Sequence, residues 1–274
     1  FFHEKYSEDF DQALLDYTKA IELDPNNPSR FEDRAIFYKD YIQDYDKAFK
    51  DYSKAIEIEP NNPQIWFERG RFSYVNYQNT DLAFKDFKRA LEIDSSHAQT
   101  INAIGVIYMN QGEYDLAIEQ YEKGIALVET NTWTAALCYR NRADLYIEQE
   151  KYQEAYADYS NAIQLYPNYA DYYSDRARLL RDYFKDYNAA LIDLSKVVEL
   201  EPNDPQHWYN RGYFFKRYLN DDESALNDYQ NALTVDPSFV DAINGIGIYY
   251  HDKGELQKAI EQYEKGMSLE KSNP

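Results

Sequence analysis

The sequence predicts an all-α protein built as a solenoid of antiparallel helix hairpins, and three observations carry that expectation. Alanines followed four residues later by Tyr, Phe or Leu recur at Ala13, Ala48, Ala83, Ala117, Ala155, Ala190, Ala225 and Ala259, with gaps of 35, 35, 34, 38, 35, 35 and 34 residues. Seven positions after most of them stands a second small residue (Ala20, Ala55, Ala90, Gly124, Ala162, Ala232, Gly266), so small, aromatic and small residues share one helix face. Only 9 Gly and 9 Pro interrupt 274 residues, and Pro25, Pro60, Pro167, Pro202 and Pro237 each lie twelve positions after an alanine of the series. Small residues admit a close neighbour, the ring fills the remaining space, and the proline stops the helix.

Upstream of each alanine helix lies a second helical face. It is clearest in Trp208, Gly212 and Phe215, again at i, i+4 and i+7, and in Trp66 with Gly70. Each unit therefore reads as a helix hairpin, with no strand anywhere. From the N-terminus, the first loop is Asp24-Pro25-Asn26-Asn27-Pro28: Pro25 ends one helix, Asn27 caps the next and Pro28 suits its first turn. Asn62-Pro63 and Asp204-Pro205 repeat the device.

The gap series 35, 35, 34 occurs twice, and an offset of 142 residues superimposes the two halves. Ala-Ile-Glu-Gln-Tyr-Glu-Lys-Gly stands at 117–124 and again at 259–266, while Trp66 maps to Trp208, Pro60 to Pro202 and Gly105 to Gly247. Duplication of a four-unit block accounts for this, with the join in the long gap around Thr130 to Ala135. The blocks are 1–132 and 133–274, continuous with each other. On this alignment Phe1 sits where Ala143 sits, so the chain begins inside a first helix and holds seven complete units and one partial unit. Nothing after Ser268 is long enough for a closing helix, and both ends are expected to expose apolar faces.

The chain resembles the tetratricopeptide repeat family, whose 34-residue pattern is W-x2-L-G-x2-Y, then A-x3-F, then P. Residues 205–237 show it as Trp208, Gly212, Phe215, Ala225, Tyr229 and Pro237, and residues 98–124 as Gly105, Tyr108, Ala117 and Tyr121. The resemblance covers essentially the whole chain. It implies a right-handed superhelix of about fifteen helices and a non-catalytic scaffold for a protein or peptide ligand.

One departure from the family pattern is systematic. The leucine before the small residue is arginine in five units, at Arg34, Arg69, Arg142, Arg176 and Arg211, and the second helices of those units carry Asp51, Asp86, Asp158, Asp193 and Asp228. The remaining two complete units have Ile104 and Ile246, with Gln120 and Gln262 opposite. Arginine and aspartate come and go together, which predicts an ion pair across each of those hairpins that fixes its register.

Composition narrows the function. A formal charge of −20 opposes contact with phosphates and anionic headgroups, so neither nucleic acid nor a membrane surface is the expected partner. No apolar run approaches the ~20 residues that cross a bilayer. Phe1 in place of a methionine marks a fragment or processed product, so the compartment is left open between cytoplasm, which is favoured, and a periplasmic or secreted setting. Cys138, the single cysteine, excludes an internal disulfide.

Chemistry is hard to find. His3, His97, His207 and His251 fall in different units with no repeated acidic or cysteine partner at metal-ligand spacing, so neither a metal nor another cofactor is expected. Asp24, Asn26 and Pro28 have a faint likeness to a calcium loop, yet Ser29 stands where the glycine of the tight turn belongs. There is no glycine-rich phosphate loop, no Gly-x-Ser-x-Gly and no cysteine with a plausible base.

The candidate binding surface is the stripe of the first helices one residue beyond their packing face. It reads Arg140; then Ser174, Arg178 and Arg181; then Tyr209, Tyr213 and Lys216 with Arg217 beside them; in the first block it reads Phe67, Arg71 and Tyr74. Bases and aromatics on an acidic protein suit an extended peptide with acidic and apolar groups, held more strongly by the second block. The competing reading is that these bases only neutralise Asp171, Asp175 and Asp182. A clamp for chaperone C-terminal carboxylates is poorly matched, since the fifth and ninth places of two units hold Glu32 and Ile36, and Ser174 and Arg178. The alternatives to a scaffold are a substrate-presenting arm of a larger enzyme and a self-association module acting through the chain ends.

Overall fold

The computed structural model describes residues 2–272, with side chains described over 10–269. Helices follow one another with short loops: α1 (Phe2–Leu23), α2 (Pro28–Phe37), α3 (Tyr45–Ile58), α4 (Pro63–Asn76), α5 (Thr80–Ile93), α6 (Ala98–Asn110), α7 (Tyr114–Ala126), α8 (Thr132–Glu148), α9 (Tyr152–Leu165), α10 (Ala170–Leu179), α11 (Tyr187–Leu200), α12 (Pro205–Phe214), α13 (Asp222–Val235), α14 (Val240–Asp252) and α15 (Leu256–Ser272). No strand occurs among the described residues. The contacts divide into two compact units, Phe1–Asn141 and Arg142–Pro274.

Within each unit the helices pack as consecutive hairpins. In the first, α2 lies on α3, α4 on α5 and α6 on α7; in the second, α10 lies on α11, α12 on α13 and α14 on α15. The alanines of the repeat are the contact points: Ala48, Ala83, Ala117, Ala155 and Ala190 have no exposed surface. The ring four residues on fills the hairpin, and Tyr52, Phe87, Tyr121, Tyr159 and Tyr229 are almost entirely buried. In the hairpin of α6 and α7 this closeness leaves no room for a side chain: a Cβ on Gly105 would stand 2.5 Å from Cε1 of Tyr121, so the buried ring or the helix would have to shift.

The predicted caps form. Asn27, Asn62 and Asp204 accept from the backbone N–H of Ser29, Gln64 and Gln206, with proline in the first turn. Asp44, Asn79, Asp186 and Asp221 do the same for the second helices of their hairpins.

The difference between 34 and 35 residues has a local origin. In the 34-residue units the first helix closes through Glu113 N–H to Tyr108 O (2.9 Å) and Glu255 N–H to Tyr250 O (2.8 Å), around left-handed Gly112 and Gly254, both at φ 77°. In the 35-residue units the closing bond is one residue wider: Asp44 to Tyr38, Asn79 to Ser73, Asp186 to Leu180 and Asp221 to Phe215, at 3.0, 3.0, 3.1 and 3.0 Å. Three of these four wider turns are π-helical, at Tyr38–Ile42, Leu180–Phe184 and Phe215–Leu219. Each ends on a left-handed residue that is not glycine: Gln43, Gln78, Lys185 and Asn220, with φ between 52° and 59°. The 38-residue gap closes its first helix in the narrow way, Lys151 N–H to Tyr146 O at 2.8 Å, so its extra length lies between α7 and α8.

The N-terminus differs from the simple expectation of a first-helix remnant joined to a second helix. The backbone of α1 runs unbroken from Phe2 to Leu23, where the equivalent segment of the second unit turns at left-handed Glu150. At the other end α15 leaves Leu256, Ile260 and Met267 exposed.

All five expected arginine–aspartate pairs are present, each a two-pronged fork from Nε and Nη2. The N–O distances are 2.7 and 2.8 Å for Arg34–Asp51, Arg69–Asp86, Arg142–Asp158 and Arg176–Asp193, and 2.8 and 2.8 Å for Arg211–Asp228. The aspartates are buried and the arginine side chains 14 to 18 % exposed. An aromatic ring covers each guanidinium, Trp66 over Arg69 at 5.1 Å and Trp208 over Arg211 at 5.2 Å among them. The third nitrogen reaches back to the preceding hairpin: Arg34 Nη1 to Thr18 Oγ1, Arg69 Nη1 to Ser53 Oγ and Arg176 Nη1 to Ser160 Oγ, at 3.2, 3.1 and 3.0 Å. Hydrogen bonding to Asp51 and Asp193 raises the pKa of Arg34 and Arg176, while burial raises that of Asp158.

Candidate functional site

In the first unit the exposed sides of α4, α6 and α8 enclose an open cleft of about 550 Å³. Phe67, Arg71 and Tyr74 of the sequence-derived stripe all line it. Phe67 is buried, Tyr74 half-buried, and Arg71 is exposed but folded back on Glu68 at 2.8 Å. Much of the remaining wall is apolar, from Val75, Val106, Trp133 and Leu137, with Asn102 set among them. Asn102 Oδ1 accepts from Asn141 Nδ2 at 2.9 Å and from the Cys138 thiol at 3.5 Å, and Gln99 and the unpartnered Thr134 hydroxyl also line the cleft.

In the second unit a smaller cleft of about 230 Å³ gathers Ser174, Arg178, Arg181 and Tyr213, together with Asn210 and Tyr218. Its cations are already engaged. Arg178 lies 3.3 Å from Asp175 and 3.7 Å from Asp144, and Arg181 forks onto Asp182 at 2.6 and 2.7 Å with its guanidinium over Tyr218. Hydrogen bonding to Arg181 lowers the pKa of Asp182. Asp144 also accepts from the Tyr159 hydroxyl, and burial drives the pKa of that phenol far upward.

The rest of the stripe lies outside this cleft. Tyr209 packs on Tyr229 and Phe239, and Arg217 is exposed. Arg140 stands half-buried in α8, within the first unit rather than the second. Lys216 is not the exposed base that its position suggested. Its side chain is 24 % exposed and bridges Asp252 at 2.6 Å and Asp222 at 3.4 Å.

Two features were missed in the sequence. Asn102 and Val106 lie 35 residues after Phe67 and Arg71 and would have been found by extending the same stripe, but selection for basic residues passed over them. Glu201, Asp204 and His207 have ligand atoms within 4.8 Å of one another. Their i, i+3, i+6 spacing resembles no zinc motif, and the turn between Pro202 and Pro205 is what brings them together. No helix among the described residues is long and apolar enough to cross a membrane.

Comparison with known proteins agrees with the hairpin architecture. Profiles described as tetratricopeptide repeat match residues 5–27, 98–131, 136–169 and 216–267, and one described as TPR repeat matches 41–72, together more than half of the chain. No curated protein matches the sequence. Among solved structures, yeast Tom70 is 20 % identical with a TM-score of 0.65 over 96 % of this chain and 55 % of its own, so this chain spans about half of it. The C-terminal part of a TPR repeat-containing protein from Cytophaga hutchinsonii is 21 % identical, with a TM-score of 0.59 over 87 % of this chain and 95 % of its own. MamA is 20 % identical, with a TM-score of 0.51 over 62 % of this chain and 95 % of its own. The repeating hairpins, the alanine–aromatic packing and these matches agree: the chain belongs to the tetratricopeptide repeat family.

Proposed function

We propose that the protein is a non-catalytic scaffold that captures an extended peptide segment on the exposed sides of its first helices. The observation that carries this reading is the cleft of α4, α6 and α8, a mainly apolar hollow that presents the Asn102 amide, oriented by Asn141, and a cation neutralised by its neighbour. Such a surface takes an apolar side chain by burial while the Asn102 amide meets a backbone carbonyl of the ligand. Acidic groups in the segment are less well supported, since Arg178, Arg181 and Lys216 each hold a carboxylate of the protein itself and a ligand would have to exchange with it.

Selection of a random peptide library on the intact protein tests the reading. The selected peptides are expected to carry apolar residues, and Val75→Glu with Val106→Glu to weaken them at least tenfold while the helical circular dichroism is kept. A folded double variant that binds the same peptides unchanged would refute the assignment. The pair Arg178→Gln and Arg181→Gln reports separately on acidic groups, because it removes positive charge without placing new carboxylates beside Asp175 and Asp182.

A further inference from the structure

We propose that Glu201, Asp204 and His207, at the turn between α11 and α12, bind a divalent transition-metal ion, with zinc the best fit. His207 Nε2 lies 2.7 Å from Glu201 Oε2 and 3.6 Å from Asp204 Oδ2, so two carboxylates converge on one imidazole nitrogen. Zinc bonds to nitrogen and oxygen are about 2.0–2.2 Å long, which puts neighbouring donor atoms roughly 3 to 3.5 Å apart, close to this spacing. One imidazole and two carboxylates suit zinc, and coordination positions remain for water.

The turn is held independently of any ion. Trp208 Nε1 donates to Pro202 O at 2.8 Å, and the Asp204 and His207 amides bond Glu201 O and Asp204 O, both at 3.3 Å. Asp204 Oδ1 caps α12 through Gln206 N–H at 2.8 Å, which leaves Oδ2 for the imidazole.

The corresponding turn of the first unit shows that the fold does not need this set. There Glu59, Asn62 and Ile65 occupy the three places. Asn62 supplies the same cap with a neutral amide, Trp66 donates to Pro60 O at 2.9 Å, and Ile65 is 1 % exposed in a core cluster with Phe31, Ala55 and Ile56. In the second unit a buried aliphatic position has become an imidazole, and a neutral cap a carboxylate aimed at it. Without metal, Nε2–H donates to Glu201; the ion takes the place of that proton. Bound there, it would tie the end of α11 to the first turn of α12.

Isothermal titration with zinc and the visible absorption of added cobalt test this on the full chain. The expected result is one saturable site, lost or weakened at least tenfold in His207→Ile and in Glu201→Gln, and unchanged in His251→Ala. His207→Ile installs the residue that the first unit carries at this place, so a folded variant is expected and circular dichroism checks it. Zinc should raise the melting temperature of the unaltered protein and not of His207→Ile. Absence of saturable binding, or equal binding by folded His207→Ile, would overturn the proposal.

Discussion

Removing one carboxylate from a fork measures what the arginine–aspartate pairs contribute. Asp228 is 1 % exposed and receives both prongs of Arg211 at 2.8 Å, beneath the rings of Trp208 and Phe215. Asp228→Ala strands a guanidinium whose side chain is 18 % exposed. Breaking such a pair costs about 3 to 5 kcal/mol, and water reaching the exposed edge of Arg211 places the expected loss near the lower figure, ~3 kcal/mol. For a chain of this size that corresponds to a fall in Tm of roughly 6 to 12 °C. The repeat itself supplies the neutral replacement, since Ile104 with Gln120 and Ile246 with Gln262 occupy the same two places. Arg211→Ile combined with Asp228→Gln should therefore recover most of the loss, with a coupling of at least about 2 kcal/mol across the double-mutant cycle. Denaturant unfolding followed by far-ultraviolet circular dichroism gives all four corners. A loss below about 0.5 kcal/mol for Asp228→Ala, the range of an ordinary surface substitution, would refute the reasoning.

Two further outcomes follow. Gly105→Ala sets a Cβ against the buried Tyr121 ring and should destabilise by about 1 to 3 kcal/mol, outweighing the ~1 kcal/mol that alanine gains in helix propensity. Gly266→Ala meets the movable Asn244 side chain at 3.0 Å and Val240 at an ordinary 3.7 Å, and should leave stability unchanged or raise it, which differential scanning calorimetry of the two variants will show. The buried tyrosines set an alkaline limit. Burial lifts Tyr77 from 10.0 to about 12, helped by its hydrogen bond to Asp46, and burial raises Tyr52, Tyr159 and Tyr229 as well. A neutral acid preferred by the folded state contributes stability that is complete below the unfolded pKa and is lost as pH rises through the folded one. Unfolding free energy should therefore fall above pH 10.0, and less steeply toward about 12 in Tyr77→Phe.

The fold was legible because its unit is short and periodic. An alanine with a ring four residues on and a second small residue after it has one satisfactory partner, a neighbouring helix at close range. The charge pairs were legible because Arg and Asp vanish together at Ile104 and Ile246. The ligand surface was less so. Composition marks Arg178 and Arg181 as bases but does not show that Asp175 and Asp182 already occupy them. Lys216 was misjudged for the same reason, since its partners Asp222 and Asp252 lie 6 and 36 residues on, in α13 and α14. The imidazole of His207 was invisible as a ligand because two prolines, rather than a helix, set its neighbours.

The guanidinium contacts to Thr18, Ser53 and Ser160 make the forks of Arg34, Arg69 and Arg176 bonds between hairpins as well as within one. Where isoleucine replaces arginine, at Ile104 in α6 and Ile246 in α14, no guanidinium makes that link, and the junction keeps exposed polar contacts such as Asn110 Nδ2 to Tyr74 Oη and Tyr249 Oη to Glu223 Oε1. In a solenoid whose stability is a sum of unit and neighbour terms, those junctions are where cooperative unfolding would divide. Amide hydrogens of α6–α7 and of α14–α15 would then exchange with solvent in separate, earlier openings than those of α4–α5 and α10–α11.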